Sequence, residues 1–132
     1  MIGLDTNVLI RYLVQDDPIQ SPKATRLIER ELSEGNPGFI TAVTMTEVAW
    51  VLDRVYSLPA RELATRIERI LQADVFVVAH EQQVFGAMVA LSEGAGDFAD
   101  ALVGLLGERA GCAITMTFDR KAARLRQFAL LA

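Results

Sequence analysis

The chain has a single cysteine and a single histidine among 132 residues. Cys112 alone forms no internal disulfide, which fits a reducing compartment and points to the cytoplasm. Long charge-free apolar runs are lacking as well. Mean hydropathy is +0.27, yet the apolar stretch Gln82 to Ser92 falls far short of the roughly 20 residues that cross a bilayer. No membrane partner is therefore expected. Met1-Ile2-Gly3-Leu4-Asp5 carries no basic run and meets an acid at once, so no secretory leader is expected there. Runs of Pro, Ser and Gln are scarce beside 52% hydrophobic residues, which excludes disorder. Repeats, linkers and low-complexity segments are also missing. The length then implies one domain over residues 1–132, able to bury about two-thirds of its unfolded surface. Nor is there an excess of cations: thirteen basic against seventeen acidic residues give a net charge of −4. A protein that holds nucleic acid by bulk charge is normally basic. That absence decides little, because eleven of the thirteen cations are Arg, the better phosphate fork. Bound divalent cations would also supply local positive charge to an acidic phosphate enzyme.

The pattern of what is present alternates strand and helix. Ile2 to Leu4 is a short apolar run ended by Asp5, and Thr6-Asn7 opens a helix-period segment that closes near Asp16-Asp17-Pro18. A second helix is predicted from Ser21-Pro22 to Ser33, with Gly35 as the stop. Phe39-Ile40 reads as a strand. A third helix starts at Thr44 or Thr46 and runs through Val55, and a fourth covers Ala60 to Gln72. Val75 to Val78 is the clearest strand, apolar on both faces. Helices over Glu81–Leu91 and Asp97–Arg109 flank the loop Ser92 to Gly96. Ala113 to Thr117 is a strand, followed by a turn, a short helix to Arg126 and an edge strand from Phe128 to Leu131. This order implies an α/β sandwich with parallel strands, whose working site lies outside the carboxyl ends of the strands.

Four acids fall at such places. Asp5 follows the first strand. It reads either as the cap of the first helix, a job Thr6 or Asn7 also suits, or as a site carboxylate. Glu47 shares a helix face with Thr44, Val48, Val51, Leu52 and Val55, so it is expected to point inward, as a site carboxylate or in a buried salt bridge. The other reading puts it at the rim of the stripe with its head in water. Asp97 and Asp100 stand three apart at a helix start, which suits Asp97 as the cap and Asp100 as the ligand. Gly104 and Gly107, on the Asp100 face, allow a close approach of the neighbouring backbone. Asp119 lies in the turn after the last main strand, as a cap or a ligand, with Thr117 two residues earlier placed to orient it. Clustered carboxylates repel unless a cation neutralises them. An all-oxygen set suits Mg²⁺, with Mn²⁺ as the other candidate, and such metals assist phosphodiester hydrolysis.

Asp5-Thr6-Asn7 after an N-terminal strand, Thr46-Glu47-Val48 on an early helix, Asp97-Phe98-Ala99-Asp100-Ala101-Leu102, and Thr117-Phe118-Asp119-Arg120 together resemble the PIN-domain family. The similarity is greatest to VapC-type toxins of bacterial toxin–antitoxin pairs, and it runs from Ile2 to about Leu125. The resemblance implies a three-layer α/β/α sandwich around a parallel sheet and Mg²⁺-dependent endoribonuclease activity. It also implies a homodimer and a small cognate antitoxin that covers the acidic site. Carried over, Asp5 and Asp100 are the core metal ligands, and Glu47 and Asp119 complete the quartet. Asp97 is an extra acid, cap or outer-shell partner, whose role the resemblance leaves open. Thr6, Asn7 and Thr117 are candidate outer-shell residues, and Arg11, Arg120 and Arg124, near the site by sequence, are candidate phosphate contacts. His80 reads as an exposed turn residue and Cys112 as buried packing. Trp50 and Tyr56 read as interface aromatics or as core. The alternatives are an idle PIN-fold binding protein and a receiver-type phosphoacceptor domain. The latter needs an Asp at the end of a central strand, where Val75–Val78 leads instead to Ala79-His80-Glu81.

Overall fold

A computed structural model describes all residues, 1–132. Five short strands alternate with six α-helices: β1 (Ile2–Gly3), α1 (Thr6–Leu13), α2 (Gln20–Arg26, continued by a π-helical turn, Leu27–Glu31), β2 (Gly38–Ile40), α3 (Ala42–Arg54), α4 (Ala60–Gln72), β3 (Phe76–Val78), α5 (Glu81–Ser92), α6 (Phe98–Arg109), β4 (Thr115–Thr117) and β5 (Phe128–Leu130), with a 3₁₀ turn at Ala122–Arg124 before β5. All ladders are parallel, because helical crossovers join their strands. The result is an α/β sandwich of the α/β/α type.

The ladders fall into two pieces, β1-β2-β3 and β4-β5. In the first, Ile2 is in register with Gly38 and Gly38 with Phe76. The centre is therefore β2, whose Gly38 and Ile40 are buried. This corrects the expectation for Val75–Val78: β3 is an edge strand, and Val77 is exposed. Its apolar composition covers one side of the sheet only. The core lies between the strands and helices α1, α3, α4 and α5. There Leu9, Ile40, Met45, Val48, Leu52, Ile67 and Val84 have no exposed surface. Every buried side-chain polar atom has a hydrogen-bond partner, as a well-satisfied interior requires. No helix is long and apolar enough to cross a membrane.

Helix boundaries follow local chemistry. α4 occupies the predicted residues, entered through Pro59. α3 starts two residues before Thr44, because Thr41 is its cap and accepts from the Thr44 N–H at 3.1 Å. α2 starts before Ser21-Pro22. The Asp17 carboxylate accepts from the N–H groups of Ile19 at 3.0 Å and Gln20 at 2.7 Å. Those bonds, Gln20's first, hold the Asp17 carboxyl below its ordinary pKa. Cys112 is exposed, contrary to expectation. It lies in the turn after Gly111, where the backbone reverses at φ 103°, outside the packed layers.

Candidate active site

Asp5 is the N-cap of α1. Its Oδ1 accepts from the Thr6 N–H at 2.7 Å, and its carbonyl accepts from Val8 at 3.1 Å. Asp5 is thus needed as a cap after all, yet it is exposed and the cap uses one oxygen only. Thr6 is buried at 7% exposure, and its hydroxyl donates to Glu47 Oε1 at 3.0 Å. That bond fastens the start of α1 to α3 and sets Glu47 beside the residue that follows Asp5.

Glu47 is exposed, which corrects the inward orientation. The buried stripe of α3 is Thr44, Met45, Val48, Ala49 and Leu52. Its centre lies on the far side of Val48 from Glu47, so Glu47 falls at the rim. A rim position spares the carboxylate the full cost of desolvation and keeps its head within reach of a solvated ligand.

α6 supplies the second half. Asp97 caps it, accepting from the Asp100 N–H at 2.7 Å, as the spacing predicts. Asp100 is half-buried. Its carboxyl is raised above the ordinary value, first by burial and then by the negative charges of Asp97 and Asp119 and a hydrogen bond with Asp97. Asp119, on the turn after β4, is therefore close enough to act electrostatically on Asp100. That turn is fixed by the Asp119 N–H donating to Thr117 Oγ1 at 2.9 Å and by Asp119 Oδ1 accepting from Lys121 N–H at 2.8 Å. The small residues of α6 do admit a neighbour, though by side chains: a Cβ on Gly104 would lie 2.6 Å from the Phe128 ring, and one on Gly107 2.9 Å from Thr115 Oγ1. α6 also packs on α3, so the helix of Asp100 and the helix of Glu47 are neighbours.

The remaining candidates divide. Arg11 is committed elsewhere: its Nε donates to Gln20 Oε1 at 2.8 Å, and its guanidinium faces Asp16 and Asp17 at 3.7 and 3.9 Å. The Asp16-Asp17-Pro18 turn folds these acids back onto α1, so Arg11, unlike Arg120 and Arg124, already faces carboxylates. Arg120 and Arg124 are exposed and in no ion pair. Asn7 is exposed at the mouth of a shallow cavity it shares with Arg11 and Lys23. Trp50 is exposed and borders a cavity of about 130 Å³ that reaches Asp97 and Phe98. Tyr56 is half-buried and donates its hydroxyl to Asp16 at 3.1 Å. His80 is an exposed turn residue at φ 54°. Phe118, which the sequence marks only as part of the turn after β4, is exposed and is followed within six residues by three exposed cations, Arg120, Lys121 and Arg124.

The acids fall into two groups, Asp5 and Glu47 linked through Thr6 and Asp97 with Asp100 and Asp119, on elements of which α3 and α6 pack together. The PIN domain family matches over residues 2–127. The chain is a PIN domain. No curated protein and no solved structure matched it. PIN domains are generally metal-dependent nucleases, and their divalent cations set a test for the residues found here. No three acids, His or Cys are gathered into a closed metal-binding set. The donor chemistry nevertheless fits a hard cation. The side chains are all oxygen donors, and the Asp100 carboxyl already carries the repulsion of two neighbours, which a cation would relieve.

Proposed function

We propose that this PIN domain is a Mg²⁺-dependent endoribonuclease, with Mn²⁺ able to substitute, and that it is the toxin of a cytoplasmic toxin–antitoxin pair. The observation that carries the reading is the PIN-domain match over residues 2–127, with half-buried Asp100 in the first turn of α6 next to the Asp97 cap; burial, Asp97 and Asp119 also oppose ionisation of its carboxyl. A fold keeps such an unfavourable group where function needs it. Asp5, Glu47, Asp100 and Asp119 would hold the metal. When bound, it supplies positive charge for the phosphate and activates water for hydrolysis.

The chain's own residues do the positioning. Thr6 orients Glu47 through its hydroxyl, and Asp97 fixes the first turn of α6 from which Asp100 projects. Thr117 fixes the turn that presents Asp119. Arg120 and Arg124, free of internal partners, take flanking phosphates of the RNA. Attack by water leaves a 5′-phosphate and a 3′-hydroxyl, and a 2′,3′-cyclic phosphate on the products would refute this chemistry. A small antitoxin has a place to dock beside the acids, where exposed Trp50 borders the cavity that reaches Asp97. A homodimer completes the proposal, with exposed Phe85, Val103 and Ile114 as apolar surface for it.

The test is cleavage of a pool of structured RNAs by the purified protein in Mg²⁺, in Mn²⁺ and in EDTA, beside Asp100→Asn. Cutting that needs metal and vanishes in the variant supports the reading. Metal binding without cutting of any RNA favours an idle PIN-fold binding protein, and no metal binding at all refutes the metal assignment.

A further inference from the structure

Phe118 is the most exposed large apolar side chain of the protein, at 79%. A single exposed apolar residue means little by itself, but the surroundings of this one are specific. It opens the ten-residue crossover, 118–127, that joins parallel strands β4 and β5. Parallel crossovers usually take a dozen residues or more, and this short one is drawn tight. Asp119 N–H donates to Thr117 Oγ1 at 2.9 Å, Lys121 N–H to Asp119 Oδ1 at 2.8 Å and Ala123 N–H to the Asp119 carbonyl at 3.0 Å. Ala122 and Leu125 anchor it in the core. The backbone that carries Phe118 is thus a fixed turn, which lowers what has to be ordered on binding.

Charge selects the occupant. Residues 116–132 carry four of the thirteen cations and one acid, Asp119, in a chain whose net charge is −4. Of those cations Arg126 pairs with Glu108 at 3.1 Å. Arg120, Lys121 and Arg124 are exposed and in no ion pair. Phe118 directly precedes Asp119, a candidate site acid, on the same turn fixed by Thr117 and Lys121.

The geometry points to Phe118 as a stacking platform for an unpaired base of single-stranded RNA, with Arg120, Lys121 and Arg124 on the phosphates that flank it. Aromatic side chains among unpaired cations bind single strands in a sequence-tolerant way, since every base has a π-face. A duplex keeps its bases stacked and offers such a ring nothing. The proposal deepens the nuclease reading, on which it rests for the position of the scissile phosphate, and it makes the substrate an unpaired segment.

Binding of a fluorescein-labelled single-stranded RNA dodecamer of mixed sequence is measured by anisotropy in EDTA, so that no cleavage is required. The probes are wild type, Phe118→Ala and Phe118→Tyr, with the blunt duplex of the same sequence as comparison and thermal melts to establish folding. Phe118→Ala is expected to weaken single-strand binding roughly 5- to 100-fold, Phe118→Tyr to restore it, and duplex binding to change little. In cleavage, Phe118→Ala raises KM and leaves kcat near wild type. Equal single-strand binding by folded Phe118→Ala overturns the proposal. So does an equal loss on single strand and duplex, failure of wild type to bind, or an effect confined to self-association. Phe118-dependent binding without any cutting leaves the platform standing and refutes the nuclease. Cutting with Phe118-independent binding refutes the platform alone.

Discussion

Replacing Asp100 by Asn should make the protein more stable and less able to use metal, two opposite effects of one near-isosteric change. In the fold the Asp100 carboxyl is raised by burial and by the charges of Asp97 and Asp119. The folded state therefore holds its proton to higher pH than the unfolded chain, whose carboxyl titrates near ~3.9. Between the two values the folded state binds more protons, so stability falls as pH rises through that window, and the full penalty is present above it. Asparagine removes the penalty. The group is partly solvated, so the gain at pH 7.5 is about 0.5–1 kcal/mol, a rise in Tm of about 2–4 °C for a domain of this size. It shrinks as the pH falls toward 4. Mg²⁺ reverses the order: at ten times its Kd it adds about 1.4 kcal/mol to wild type, roughly 5 °C, and much less to the variant. Thermal unfolding followed by circular dichroism, in EDTA and across a Mg²⁺ series, reads both effects. An Asp100→Asn protein less stable than wild type in EDTA at pH 7.5 would refute the repulsion. Equal Mg²⁺ stabilisation of the two proteins would refute Asp100 as a ligand.

Thr6→Val removes the hydroxyl that donates to Glu47; it should lower stability by about 0.5–1.5 kcal/mol and reduce cleavage, with Thr6→Ser restoring both, as melts and rate assays will show. Gly104→Val places a Cβ 2.6 Å from the Phe128 ring and 2.9 Å from Gln127 Cβ, so overpacking should cost about 1–3 kcal/mol, read as a Tm lower by about 4–10 °C. Arg126→Ala breaks an exposed pair with Glu108 and should move stability by less than about 0.5 kcal/mol; a larger drop would show that β5 depends on that contact.

The parts of the fold legible in sequence are those whose signals do not compete. α4 has one entry, Pro59, and one strong period, and it was predicted to the residue. The start of α6 was legible for the same reason, Asp97 and Asp100 being the only acids at the right spacing after a glycine-rich loop. α3 offers three threonines near its start, and the cap belongs to Thr41, the earliest. A different choice shifts no residue's angular position; Glu47 reads as inward because the sequence centres the apolar face on Val48, Val51 and Val55, whereas the buried stripe takes in Met45 and Ala49 and leaves Val55 exposed. The commitment of Arg11 was illegible because it depends on the turn through Pro18 bringing Asp16 and Asp17 back to α1. The edge position of β3 depends on strand order, which periodicity does not encode.

For Asp5 and Asp119 sequence posed a choice between helix cap and site carboxylate, and the structure shows why the two are compatible, with Asp97 the cap its spacing predicts. Asp5, Asp97 and Asp119 each give one oxygen to a backbone N–H, of Thr6, Asp100 and Lys121 respectively. A carboxylate has about four lone-pair sites, so one capping bond leaves most of its acceptor capacity open. The bond also removes rotamer freedom in advance, which lowers the entropic cost of later holding a cation. Glu47 is restrained in the same manner by Thr6. Asp100 alone accepts from neither a backbone N–H nor a hydroxyl, and it is the one whose carboxyl burial and then the surrounding charges disturb. Capping acids that are already oriented, placed around one acid that is not neutralised, make a site that gains most when a cation arrives.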